Sequence, residues 1–134
     1  MATLFTAEAN LLLNFTLRGG TLVPAGTDYV AECSTNSSAA AHGTELSFSG
    51  YARQAVVANT SNWTAPSAQT IGNANTITVT ASAPSTFTIN GYWLTDAASG
   101  AGNDILYDNF GSPVSVAIGN AVQFNAAGLQ VSAL

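Results

Sequence analysis

Only 7% of this 134-residue chain is charged, against 47% hydrophobic, and its two arginines and seven acids leave a formal net charge of −5. Globular domains average about a quarter charged residues, so the exterior must be built from Ser, Thr, Asn, Gly, Ala and apolar side chains, a surface suited to lying against other protein. Nucleic acid is excluded as a partner by the absence of any Lys or Arg cluster to neutralise phosphates, and a membrane-spanning helix by the shortness of Leu11-Leu12-Leu13 beside the roughly 20 residues needed.

The length predicts one domain over residues 1–134, with a core that needs no metal or disulfide; a compact monomer of this mass exposes roughly 6,600 Å². Residues 1–5 read as a short apolar arm, without the basic and apolar regions of a signal peptide. Residues 7–18 read as a helix: Thr6 is placed to cap it, Glu8 sits at its positive end, and Gly19-Gly20 stops it. Leu11, Phe15 and Arg18 share one face with Leu12 beside them, which predicts a helix lying over a sheet.

After Pro24-Ala25-Gly26 the pattern changes to strands, and 27–134 reads as a β-sandwich. Strand-like runs fall at 27–35, 45–48, 51–57, 75–82, 85–95, 105–110, 113–118, 121–125 and 128–134. Ile77 and Val79 alternate with Thr76, Thr78 and Thr80, and Val114, Val116 and Ile118 alternate with Ser115 and Ala117, the period of a half-buried strand. The fold class expected is therefore all-β, an antiparallel sandwich of jelly-roll or immunoglobulin-like type with one short N-terminal helix. Asn90-Gly91 leaves two arrangements open, a tight hairpin or a bulge in one long bent strand.

Chemistry-bearing residues are sparse. His42 is the only histidine and lies in the small-residue loop before Gly43, so no histidine-based dyad, triad or multi-histidine metal site can form within a chain. Asp104 and Asp108 share a strand face with no ionisable neighbour in sequence to separate their pKa values, which points to turn chemistry and not to an acid–base pair. The loop from Asp96 to Asp104 offers oxygen ligands among glycines but lacks the EF-hand spacing, so a plain hairpin loop is expected there. Cys33, the sole cysteine, reads as a small buried hydrophobe. No catalytic residue, cofactor site or metal site is expected.

Arg53 is the exception, since a lone cation in a strand-like run is costly unless paired. Glu45, Glu32, Asp96 and loop carbonyls are its candidate partners within the chain, and a subunit interface is the alternative. Tyr92 and Trp93 point to opposite faces, one expected in the core and the other exposed or interfacial. Leu4, Phe5, Tyr51, Arg53, Gln54, Tyr92 and Trp93 are thus the expected contact residues. Trp63 is expected to fold back over the sheet; with Tyr92 it is the candidate glycan-binding pair under a receptor-binding alternative.

The Ala-Glu-Ala-Asn-Leu-Leu-Leu helix ending in Gly-Gly, the strand from Asp28 to Ala31, the block Tyr51-Ala52-Arg53-Gln54-Ala55-Val56, the run from Leu94 to Gly100 and the closing Val-Ser-Val-Ala-Ile-Gly-Asn-Ala-Val-Gln-Phe segment together resemble a family of small tailed-bacteriophage virion proteins, described as tail-fibre-like, head-fibre or decoration proteins. The resemblance implies a structural role in the phage particle after synthesis in the host cytoplasm, a homo-oligomer of three copies, and one long strand through Asn90-Gly91. A capsid cement or decoration protein touching the major capsid protein is the leading expectation. A tail-fibre or baseplate tip that binds a host-surface glycan is the alternative.

Overall fold

The computed structural model describes residues 2–23, 26–80 and 82–132. Met1 of the arm, Pro24-Ala25 of the expected turn, Ala81 of the 75–82 run and the last two residues of the 128–134 run lie outside these. β1 (Thr3–Leu4) leads into α1 (Thr6–Arg18), followed by β2 (Thr27–Cys33), β3 (Gln54–Val57), β4 (Thr70–Gly72), β5 (Ile77–Thr80), β6 (Phe87–Thr95), β7 (Asp104–Val116), β8 (Val122–Phe124) and β9 (Gln130–Ser132). A five-stranded antiparallel sheet runs in the order β1-β7-β6-β2-β3, and β4 with β9 and β5 with β8 form separate antiparallel ribbons. The expected mostly-β fold with one short helix is what the chain adopts, as an open sandwich whose second layer is split into the two ribbons.

Period-two alternation sets the core. Val30 pairs with Leu94, which pairs in turn with Leu106, and this face buries them with Val56 and Tyr92 against Ile77, Val79 and Leu129 from the ribbon side. One residue along, Ala31 pairs with Trp93 and Trp93 with Tyr107, so Ala31, Cys33 and Trp93 form a second core on the opposite face, closed by Phe5. Both faces of β2 and β6 are therefore buried, although only one has a β layer over it.

β6 passes straight through Asn90-Gly91, as the family resemblance implies. Ile89 faces Val114 while Gly91 faces Asn109, so the extra residues of β7 bulge out between them, where Pro113 costs no ladder bond. Gly91 is required by close approach: a Cβ there would collide with the Asp108 carbonyl oxygen. The two expected strands at 105–110 and 113–118 are the single strand β7. Val116 is buried, but Val114 and Ile118 are 48% and 69% exposed.

Other expectations are corrected. Thr6 is not the helix cap; Phe5 holds that position with no side-chain cap bond, and the Thr6 N–H donates to the Ala39 carbonyl at 2.9 Å instead. The helix does not lie over the sheet, because Phe5 and the 34–44 loop already cover that face, and none of its residues is buried. Residues 45–48 form no strand beyond an isolated bridge between Cys33 and Glu45; the Tyr51 N–H turns back to the Phe48 carbonyl through Gly50 at φ 88°.

Candidate functional site

The block that singles out Arg53 folds into a tight internal clamp. Arg53 Nε and Nη2 donate to Glu45 Oε1 and Oε2, each at 2.8 Å, while Nη1 donates to the Ala97 carbonyl at 2.8 Å and Nη2 also to that of Gly100 at 2.9 Å. A planar fork suits such a bidentate contact. Tyr51 adds a hydroxyl donated to Glu45 Oε1 at 3.2 Å. The hydrogen bonds from Arg53 hold the Glu45 carboxyl below its ordinary value despite partial burial. The guanidinium carbon lies 5.4 Å from the centre of the Trp93 ring, and the His42 ring stacks on the same indole at 4.3 Å with 4° between planes.

The expected contact residues thus divide. Phe5, Tyr92 and Trp93 are 3%, 2% and 0% exposed and lie inside the chain's own cores. Arg53 and Tyr51 are engaged by Glu45, Leu4 packs against the first core, and Gln54 donates to the Ala55 carbonyl at 3.1 Å. Trp63 folds back onto the cluster that contains Tyr92, so the candidate glycan pair is turned inwards. Asp96 ties its own loop, accepting from the Asn103 N–H at 2.8 Å and from Asn103 Nδ2 at 2.6 Å. Among the described residues no group of three or more His, Cys, Asp or Glu side chains comes together to hold a metal.

Two buried polar side chains, Glu32 and Asn73, and the half-buried Asn109 hold positions that the sequence reading did not assign, Glu32 being buried away from Arg53. Glu32 is fully buried, its Oε2 accepting from the Thr80 hydroxyl at 3.1 Å while Oε1 has no partner; burial pushes its pKa up to about 7. Asn73 donates to the carbonyls of Asn75 and Asn125 at 2.7 and 2.8 Å and accepts from the Leu129 N–H at 2.8 Å, stitching the two ribbons together. Asn109 pins Ser37 through both its amide atoms, at 2.8 and 2.9 Å. Only Glu32 carried a signal: alternation places it on the core face of Val30.

What the chain leaves uncovered is the helix. Leu11, Leu12, Leu13, Phe15 and Leu17 are 40–76% exposed, about 500 Å² of apolar side chain in total, spread around the helix with Leu11 and Phe15 on one side and Leu13 and Leu17 on the other. The whole chain exposes 7401 Å², more than the roughly 6,600 Å² of a compact monomer of its mass. No helix is long and apolar enough to cross a membrane among the described residues. A small β-rich protein, with its aromatics and its guanidinium clamp turned inwards and an apolar helix turned outwards, is the class that fold and surface define. The family model of Gp80, described as podophage GP4 fiber I protein gp80, matches residues 3–132; the chain belongs to this family and is a fibre-like structural protein of the bacteriophage virion. No curated protein matches the chain.

Proposed function

We propose that this chain is a non-enzymatic, fibre-type subunit that works by protein–protein contact, as a homo-oligomer of three copies seated on neighbouring virion protein. The observation that carries the reading is the uncovered helix. Burying about 500 Å² of apolar surface is worth roughly 12 kcal/mol at 25 cal/mol per Å², of the same order as the 4–15 kcal/mol that association costs. Apolar contact alone therefore brings copies to the edge of association, and polar contacts decide the geometry. On the particle the seat is the capsid surface, with the major capsid protein as neighbour and reinforcement of the shell as the effect.

The family's fibre description equally favours a second reading, a projection that meets the host surface. Trp63 and Tyr92 are turned inwards, so under that reading receptor contact belongs to the exposed polar loops. Phage lacking the gene separate the two. Particles that lose heat resistance but adsorb normally support shell reinforcement; particles that keep heat resistance but fail to adsorb support the receptor reading. Absence of the protein from purified virions, or a purified chain that stays single-copy in light scattering at every concentration, overturns the assembly reading.

A further inference from the structure

A groove of about 1000 Å³ lies between the first turns of α1, the Leu22-Val23 segment and the β6–β7 loop, and its lining sets Glu8, Asp28, Asp96 and Asp104 beside Leu11 and Val23. No arginine lines it. Asp96 is tied to Asn103, and Asp104 is faced by His42 at 3.9 Å. Burial, then the charges of Asp96 and Glu8, push Asp28 up to about 6, and burial with Asp96 raises Glu8 as well. These carboxylates repel one another across the groove and would be relieved by a cation with an apolar flank.

The chain carries such a group at the other end of the same helix. Of its two arginines, Arg53 is engaged by Glu45, whereas Arg18 ends α1 next to Leu17, the most exposed helix leucine at 76%. Arg18 is not part of the groove's lining, and it lies ten residues beyond Glu8, about 15 Å along the axis at 1.5 Å per residue, which puts Glu8 of its own chain beyond its reach. The acids are too dispersed to hold a metal, as the described residues show, but a guanidinium on a long stem needs no tight convergence.

We propose that the Leu17–Arg18 end of α1 docks into the acidic groove of a second copy of this chain, head to tail, with the guanidinium among the carboxylates and Leu17 over Leu11 and Val23. Such a contact is heterologous, so it closes into a ring when the rotation allows. It deepens the assembly reading above, and rests on it, by naming the surfaces and their polarity.

The test uses single cysteines and a short bis-maleimide cross-linker, with the native Cys33 fully buried. An equimolar mixture of Leu17→Cys and Val23→Cys chains is expected to give covalent dimers, and neither variant alone. Adding Arg18→Glu to the Leu17→Cys chain should cut the yield at least tenfold, and Glu8→Arg in the Val23→Cys chain should restore it; far-UV circular dichroism and thermal melts confirm that each variant folds. Cross-linking of Leu17→Cys with itself as readily as in the mixture, or no cross-link while the wild type is oligomeric, overturns the docking alone. A wild type that is single-copy at every concentration overturns the assembly reading with it.

Discussion

Glu32→Gln is expected to stabilise the protein above neutral pH and to leave it unchanged below about pH 4.5. The carboxyl is fully buried with Oε1 unpartnered, and burial raises its pKa from 4.5 to about 7. At 1.36 kcal/mol per pKa unit, ionising it inside the fold costs about 3 kcal/mol. The folded state binds the proton more tightly than the unfolded chain, so this stability is fully present below pH 4.5, falls as pH rises towards 7, and is absent above. Asp28, raised from 3.8 to about 6, adds a loss of the same sign at lower pH, whereas Glu45, held low by Arg53, acts in the opposite sense and only below its ordinary value. Subtracting wild type from variant isolates Glu32, because the other two groups are common to both. Urea melts at pH 4.5 and pH 8, at one fixed protein concentration, should show a variant about 2–3 kcal/mol more stable at pH 8, several degrees in Tm, and near-equality at pH 4.5. A variant less stable than wild type at pH 8, or a wild type whose stability does not fall between pH 5 and pH 8, would refute the reasoning.

Arg53→Ala should destabilise the chain by about 2 kcal/mol, since it strands Glu45 and the carbonyls of Ala97 and Gly100 in partly buried surroundings; Arg53→Lys should recover less than half, as a point charge cannot reproduce the fork, with both read from thermal melts. Gly91→Ala should cost about 3 kcal/mol or more, because the new Cβ meets the Asp108 carbonyl in the middle of the sheet; an unchanged urea midpoint would show that β7 shifts freely at the bulge.

The central sheet was legible because β2 and β6 are long runs rich in β-branched and aromatic residues, as strands buried on both faces are. The limits came from features with no local signature. The turn at Ala68-Gln69 holds two non-glycine residues at φ 48° and 64°, closed by reciprocal hydrogen bonds between Ser67 and Thr70 at 2.9 Å; with no Gly or Asn to mark it, the short strand β4 beside it could not be read. Asn90-Gly91 misleads in the opposite direction. The pair that most often marks a hairpin serves here in mid-strand, where glycine is needed so that β7 can come close, and pattern alone could not separate those two uses.

The candidate site divides along the same line between local and long-range information. Arg53 could be given its partners because a chain with seven acids offers few of them, and Glu45 lies on the adjoining stretch. His42 could not be placed on Trp93, because that stack joins residues far apart in sequence through the loop that covers the second core. The helix held more information than its one-face reading used. At 100° per residue, Leu13 and Leu17 fall opposite Leu11 and Phe15, and a helix apolar on both sides needs cover on both sides. The five-stranded sheet covers little of either, because Phe5 and the 34–44 loop occupy its outer face. An apolar helix left uncovered on both sides matches the low charge of the sequence, and it is the feature on which the proposed assembly rests.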